Sequence, residues 1–157
     1  MAKQRQTVIV VGGGASGMMA ALTASRLPET RVILLERQQR IGRKLLATGN
    51  GRCNLANAHS SPEHYHGEDV TFLRHALADF GTEETLAWFA SLGLLTHTEN
   101  TGRIYPLSDA AGSVVDALRL AMDARGVETI CGFTAAKAEK NGKCFEITSD
   151  CGESVTC

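Results

Sequence analysis

Three glycines with a fixed spacing, Gly12, Gly14 and Gly17, are the residues near the N-terminus best suited to holding a ligand. Gly12 permits a sharp turn, Gly14 lacks the Cβ that would collide with a diphosphate on the main chain, and Gly17 permits close helix–strand packing. The N–H groups of a helix that begins at this turn would face the phosphates, and the helix dipole would add to their attraction. The spacing therefore predicts binding of a dinucleotide through its diphosphate.

The segments on either side of this turn fit a βαβ unit. Residues 7–11 are all β-branched, which is typical of a buried strand, and residues 18–27 read as a helix that Pro28 ends. Residues 31–35 form a second apolar strand, and Glu36 follows it roughly 20 residues beyond the turn, where such units place an acid on the adenosine ribose. Because a carboxylate would repel a 2′-phosphate, the pattern favours FAD or NAD over NADP. A structural strand–turn–helix without a ligand is the alternative.

Beyond Glu36 the sequence predicts further α/β structure. Residues 37–54 combine glycines and cations without a clear period, which leaves a solvated basic loop and a cofactor contact as alternatives. The later pattern predicts helices over 70–80 and 82–93, a hairpin over 94–105, a helix from Ser108 or Ser113 to Gly126, a third buried parallel strand over 127–133, and a three-stranded antiparallel meander over 135–140, 143–148 and 153–156.

Composition excludes several classes of protein. The 157 residues suffice for one domain with a core, and a formal net charge of −1 gives no indication of nucleic acid or an anionic membrane. No apolar run reaches the length of a membrane span, and the first strand begins too early for a signal peptide, so we expect a cytoplasmic protein. Five cysteines without a framework spacing indicate reduced thiols, and Cys53 is expected to be a packing residue. His64 and His66 lack a third ligand, so no metal is expected.

Three segments together resemble one family. Residues 8–17, 42–54 and 102–109, with Glu36 at a strand end, are similar to the BaiN/YhiN-like flavoproteins, bacterial NAD(P)/FAD-dependent oxidoreductases of the glutathione-reductase-like superfamily. The middle segment, Gly-Arg-Lys-Leu-Leu-Ala-Thr-Gly-Asn-Gly-Arg-Cys-Asn, is the specific part, because many FAD proteins share the glycine fingerprint. The resemblance implies an α/β fold: a Rossmann-like FAD-binding βαβ unit with a parallel sheet, helices and a C-terminal three-stranded antiparallel meander, belonging to a two-domain flavoprotein.

The resemblance also implies a tightly held FAD with four groups of contacts. The fingerprint would hold the diphosphate, the end of the second strand would flank the ribose, the basic segment would line the path toward the flavin, and main chain at the start of the meander would meet the adenine. In that order the residues are Gly12, Gly14, Ala15, Ser16 and Gly17; Glu36 and Arg37; Arg43, Lys44 and Asn54; and Ala135, where the family usually has valine. No side chain receives a catalytic role.

In the resembled family, reduced nicotinamide donates a hydride to the flavin, which passes it to an organic acceptor. One characterised activity is reduction of conjugated C=C bonds in oxo-steroid bile acids. A small-molecule substrate and NAD(P)H as donor are therefore expected in the complete protein. The alternatives are a non-catalytic dinucleotide-binding module or remnant, and an NAD-binding dehydrogenase domain. A tRNA-modifying flavoprotein is conceivable on fold, but no dense basic patch supports nucleic-acid binding.

The chain departs from the family in its extent. Family members continue into a fourth parallel strand with an Ala-Thr-Gly-Gly turn and then a substrate domain. Residues 1–157 are therefore expected to be the N-terminal portion of an FAD-binding domain, from a truncated reading frame or a split protein. The resulting open sheet edge would pair with the missing C-terminal portion or with a second copy of the chain.

Overall fold

The computed structural model describes residues 6–157, so the expectation that residues 1–5 lead into the first strand without a signal peptide lies outside the described residues. These form two compact units, one of residues 6–45 and 118–157 and the other of Leu46–Ala117, called here the first and second units. In chain order the elements are β1 (Gln6–Val11), α1 (Ala15–Ala24), β2 (Thr30–Glu36), α2 (Arg43–Ala47), β3 (Ala56–Asn57), α3 (Thr71–Asp79), α4 (Thr82–Ser91), β4 (Thr96–Thr98), β5 (Arg103–Pro106), α5 (Ala111–Ala124), β6 (Glu128–Cys131), β7 (Ala135–Asn141), β8 (Cys144–Ser149) and β9 (Ser154–Thr156).

The first unit is built on a parallel sheet with the strand order β1-β2-β6. The central strand β2 carries an unbroken run of buried side chains from Val32 to Leu35, as expected for a strand covered on both faces. The third strand, β6, is parallel to β2 as predicted, but the prediction that it is buried was wrong. Its residues are largely exposed, and the buried side chains are Val127 and Phe133, which flank the strand.

Helix α1 begins and ends earlier than predicted. Gly14 is its N-cap, so the glycine turn leads directly into the helix at Ala15. The helix ends at Ala24. The next residues form a turn with backbone hydrogen bonds between residues three apart, such as that from Arg26 N to Thr23 O (3.1 Å), before Pro28. Pro28 is therefore not the residue that ends the helix.

The meander follows the prediction closely. β7, β8 and β9 form an antiparallel sheet, and Ile147 on β8 joins Ile33, Leu35 and Phe133 in a buried cluster. Asn141 pairs with Cys144, so the two-residue loop consists of residues 142–143, one position later than the predicted Asn-Gly turn.

The second unit contains a small antiparallel sheet with the order β3-β5-β4 and the helices α3 and α4. The predicted hairpin is present, as the pair β4 and β5. The predicted cap of α4 was wrong: Gly81 is the N-cap, since the Thr82 hydroxyl donates instead to Asn57 O (3.1 Å). Within residues 6–157 no helix combines the length and apolar character needed to cross a membrane.

Two further expectations need correction. The segment over residues 37–54 has regular structure after all, because α2 and a 3₁₀ turn over Thr48–Gly51 lie within it. Helix α5 begins at Ala111, so Ser113 lies inside the helix, and Ser108 stands before it, where its hydroxyl accepts a bond from Ala110 N (3.3 Å).

Candidate cofactor site

The glycine turn between β1 and α1 is held tightly by the main chain. Gly12 has a φ of +104°, which favours glycine, and its N–H donates to Leu35 O at 2.7 Å. A Cβ on Gly17 would stand 1.8 Å from Gly12 O, so only glycine lets α1 approach β1 this closely. This is the close packing that the sequence predicts for Gly17.

Gly14 contrasts with its neighbours because a Cβ there would meet no protein atom within 4 Å. The space that its missing side chain leaves is therefore open. The N–H groups of Ala15, Ser16 and Gly17 precede the first intrahelical bond, which Met18 N donates to Gly14 O at 3.0 Å. Donors of this kind at a helix N-terminus suit an anion, and a diphosphate beside Gly14 would face them.

Gly13 is a constrained residue that the sequence reasoning passed over. Its N–H donates to Glu36 Oε2 at 2.6 Å, and its carbonyl accepts from Gly42 N at 2.8 Å. A Cβ on Gly13 would lie 2.6 Å from Ile41 Cγ2. The signal available in the sequence was the unbroken run of three glycines, in which the middle one lies outside the Gly-x-Gly-x-x-Gly pattern.

Glu36 lies at the carboxyl edge of the sheet, beside the glycine turn, which is where a ribose-binding acid has to stand. Its Oε2 accepts from Gly13 N, and its Oε1 accepts from Gln38 N at 2.8 Å. A carboxylate has about four acceptor sites, so two remain for hydroxyl donors. The contact with ribose stays a prediction, for which the carboxylate has acceptor capacity left.

The end of β6 places a thiol next to this acid. Cys131 is the register partner of Glu36, and it is exposed. Although the residue is exposed as a whole, partial desolvation of its thiol and then the charge of Glu36 raise the pKa of Cys131, while a backbone hydrogen bond from Ile41 lowers it. All five cysteines are free, and Cys53 is buried, which agrees with a packing role.

The other predicted contacts of the first unit lie on its surface or in its core. Arg37, Arg43 and Lys44 are exposed, and Arg43 Nη1 donates to Gln38 Oε1 at 2.5 Å. Ala135 packs its side chain against the buried cluster on β2 and β8. The cofactor contacts expected of these four residues stay predictions.

Asn54 belongs to the second unit, where its side chain supports the small sheet. With the amide nitrogen turned toward the main chain, it donates to Ala56 O at 2.9 Å and to Ile104 O at 3.1 Å. Its carbonyl oxygen makes neither of these bonds, and its predicted contact with the cofactor stays a prediction.

A charged cluster, called here the Arg52 cluster, lies in the second unit. Arg52 donates to Asp109 Oδ1 through Nε (2.9 Å) and Nη2 (2.7 Å) and to Glu99 Oε1 (2.8 Å), and its guanidinium lies 3.8 Å above the Tyr105 ring. His97 Nε2 is 3.0 Å from the same Asp109 oxygen. Hydrogen bonds from His97 and then Arg52 lower the pKa of Asp109, and Asp109 and Glu99 raise that of Arg52. Sequence reasoning counted Arg52 among the loop cations and missed its two acids.

Within residues 6–157 no group of three His, Cys, Asp or Glu side chains is placed to hold a metal. Residues 12–17 together with Glu36 are called here the glycine corner, and they form the candidate cofactor site.

Comparison with known proteins places the chain in a family. The profile of the HI0933-like protein Rossmann domain matches residues 6–157. A 3-dehydro-bile acid delta(4,6)-reductase from Clostridium scindens is 44% identical over 142 residues, which is 90% of this chain and 34% of that protein. A ribosomal RNA dihydrouridine synthase from Escherichia coli is 31% identical over 115 residues, 73% of this chain and 28% of that protein. The chain spans about a third of the length of these relatives.

A solved structure with the same fold is the 3-ketosteroid-delta4-(5alpha)-dehydrogenase from Rhodococcus jostii, with a TM-score of 0.65 at 16% identity over 99% of this chain and 44% of that one. That likeness confirms the predicted Rossmann-like α/β fold. Together with the profile match over residues 6–157, the sequence identity shows that the chain belongs to the HI0933-like family, the BaiN/YhiN-like FAD-dependent oxidoreductases that its motifs resemble.

Proposed function

We propose that this chain is the FAD-binding portion of a flavin-dependent oxidoreductase, in which bound FAD accepts a hydride from NAD(P)H and delivers it to a conjugated C=C bond of an organic acceptor. One observation carries the proposal. The open space beside Gly14, the N-terminus of α1, which has no side-chain capping bond, and the carboxylate of Glu36 meet at one corner of the sheet. A diphosphate and a ribose need these groups side by side.

The residues of the corner would bind and orient the dinucleotide. Ala15, Ser16 and Gly17 would donate main-chain N–H groups to the diphosphate, with the helix dipole adding to the attraction. Glu36 would accept from the ribose hydroxyls through the acceptor capacity that Gly13 and Gln38 leave. Its negative charge disfavours a 2′-phosphate, which supports FAD over NADP at this site.

Further residues complete the proposed cofactor contacts. Arg37 would flank the ribose, Arg43 and Lys44 would offset phosphate charge, and Asn54 would offer its amide oxygen. Ala135 would present main chain to the adenine, because its side chain is turned into the core.

The acceptor class is supported by what the relatives' names share. A delta(4,6)-reductase and a dihydrouridine synthase both add hydrogen across a C=C bond. In uridine, the nucleoside that is reduced to dihydrouridine, that bond lies in a ring next to a carbonyl group, as it does in an oxo-steroid. The higher identity to the bile acid reductase favours a small-molecule acceptor. Uridine in RNA is the second candidate, favoured by the two dihydrouridine synthases among the relatives and opposed by the net charge of −1.

We further propose that residues 1–157 are the N-terminal portion of the FAD-binding domain, and that the activity belongs to a longer assembly. The share of the relatives that the chain spans supports this. In the described residues β1 pairs only with β2, so its other edge is available to a strand from the rest of the protein or a second copy.

Light scattering with and without FAD tests whether a second copy of the chain pairs with this edge. We expect a cytoplasmic location, which cell fractionation tests.

The central experiment is cofactor binding by the purified chain. We expect a yellow protein with flavin absorbance, or uptake of added FAD in preference to NAD in equilibrium binding. A colourless protein that binds neither dinucleotide contradicts the proposal, and a clear preference for NAD favours the dehydrogenase alternative. In the longer protein, bound FAD that NAD(P)H does not reduce favours the non-catalytic module. To separate the two acceptors, the rate of turnover of the longer protein is measured with an oxo-steroid diene and with uridine-containing RNA.

A further inference from the structure

The middle glycine of the turn is fixed on three sides, and only one of these contacts comes from an ionisable side chain. Gly13 N–H donates to Glu36 Oε2 at 2.6 Å, Gly13 O accepts from Gly42 N at 2.8 Å, and Ile41 Cγ2 fills the place of a Cβ. The bond to the carboxylate is short and charge-assisted, a class roughly twice as strong as bonds between neutral groups. It crosses from the end of β2 to the turn that follows β1.

This bond determines which main-chain donors remain for a phosphate. Gly12 N–H is committed to Leu35 O, and Gly13 N–H is committed to Glu36. The phosphate donors therefore begin after Gly13, at the N-terminus of α1. Without the carboxylate, the Gly13 carbonyl would keep its bond from Gly42, and Gly13 would keep its contact with Ile41. The peptide group between Gly12 and Gly13, which carries the Gly13 N–H, would lose the partner that fixes its orientation.

We propose that Glu36 is a positioning residue for the diphosphate-binding turn, in addition to its expected contact with the ribose. The inference rests on the proposed function, because it assigns a second task to a residue of the same site. Through its bond to Gly13, the carboxylate keeps the turn in the form that aims the α1 N–H groups at the diphosphate. Ribose and diphosphate recognition are therefore coupled through one side chain.

A pair of nucleotides separates this role from ribose binding alone. ADP carries both ribose hydroxyls and the diphosphate, whereas 2′,3′-dideoxy-ADP carries the diphosphate without the hydroxyls. If Glu36 acted on the ribose only, Glu36→Ala would weaken ADP and leave the dideoxy compound unchanged. We expect Glu36→Ala to weaken both, the dideoxy compound by roughly 10-fold or more, the range of one charge-assisted hydrogen bond.

Two variants sharpen the experiment. Glu36→Gln keeps an oxygen that can accept from Gly13 N–H, and we expect it to restore most of the affinity for 2′,3′-dideoxy-ADP. Glu128→Ala removes an exposed acid of β6 that pairs with Arg31, and we expect it to change neither affinity. Unchanged dideoxy-ADP binding in folded Glu36→Ala overturns the inference.

A ligand-free measurement keeps the inference testable if Glu36→Ala does not fold. In Glu36→Gln the bond from Gly13 N–H loses its charge assistance, so the Gly13 amide should exchange with solvent faster and change its chemical shift relative to wild type. A Gly13 amide with the wild-type exchange rate and chemical shift in this variant overturns the inference. Failure of wild-type protein to bind ADP or FAD would instead contradict the proposed function, while the Gly13 amide would still report on its bond to Glu36.

Discussion

The glycine corner and the Arg52 cluster hold a loop in place by opposite means. At the glycine corner the restraints are main-chain bonds and one carboxylate, and the positive φ falls on a glycine, Gly12. In the second unit, positive φ angles fall on Asn50, Cys53 and Asp109 as well as on Gly49 and Gly51, and the loop is fastened by ion pairs. Asn and Asp adopt left-handed backbone more readily than other residues with a side chain, so Cys53 bears the larger cost, about 1–2 kcal/mol. The Arg52 pairs and the Tyr105 ring oppose that cost.

The two segments differ in the groups that they leave for an anion. In the segment rich in cations, Arg52 is committed to two acids, whereas the glycine corner has few charges but leaves helix N–H groups without intrahelical partners. We therefore propose the glycine corner as the diphosphate site and a structural role for Arg52.

The largest effect is expected from a pair of glycine variants. Gly17→Ala places a Cβ 1.8 Å from Gly12 O, and we expect a loss of about 3 kcal/mol or more in the free energy of unfolding. Gly14→Ala has no such clash, so it should lose only about 1 kcal/mol of unfolding free energy, the cost of alanine at an N-cap. Its FAD affinity should fall, because the new methyl enters the space assigned to the diphosphate. Denaturant titration and equilibrium binding measure the two quantities. Equal stability of the two variants would contradict the packing argument.

A smaller loss of stability is expected when the Arg52 cluster is broken. Arg52→Ala leaves Glu99 and Asp109 without their shared cation and removes the group above Tyr105, so the unfolding midpoint should fall. Arg52→Lys keeps the charge but loses the two-nitrogen grip on Asp109, so it should lie between wild type and Arg52→Ala. Arg119→Ala, which breaks the pair with Asp123 on the surface of α5, is the control and should have less effect. A wild-type midpoint in Arg52→Ala would show that the cluster does not stabilise its loop.

The same cluster predicts a pH dependence. His97 and Arg52 lower the pKa of Asp109 below its ordinary value of 3.8, so the folded state binds this proton less readily than the unfolded state. The stability it contributes is present above that value and is lost as the pH falls through the lower, native pKa. Between about pH 5 and pH 3 the unfolding free energy of wild type should therefore fall more steeply than that of Asp109→Asn. The same slope in wild type and Asp109→Asn would contradict this origin of the pH dependence.

The smallest effect concerns the thiol beside the glycine corner. Partial desolvation of the thiol and the charge of Glu36 raise the pKa of Cys131, which reduces the thiolate and slows alkylation. In Glu36→Gln the charge is removed and the desolvation remains, so Cys131 should react faster than in wild type. Mass spectrometry of each alkylated cysteine measures the rate, with the exposed Cys144 of the meander as the internal control. An equal rate in both proteins would show that the two groups do not interact.

The sequence predicted the elements that depend on local pattern. The β-branched run of β1, the apolar run of β2 and the hydrophobic spacing of α3 and α5 lie where they were expected, because strand and helix periods are written in consecutive residues. Boundaries were less accurate. Helix α1 begins three residues earlier than predicted, because Gly14 is its N-cap. The N-cap of α4 is Gly81 rather than Thr82, whose hydroxyl donates to Asn57 O instead of capping the helix.

The sequence by itself determined the βαβ fingerprint, the acid at the end of β2 and the family, since each rests on residue types at fixed spacing. Only the tertiary structure decided that Glu36 reaches across to Gly13, that Cys131 stands beside it, and that Arg52 belongs to two acids 47 and 57 residues away. The physical reason is that a spacing pattern fixes which face a side chain occupies along its own element. The residues that a side chain contacts on other elements depend on the strand register and on which charged side chains the fold brings close together.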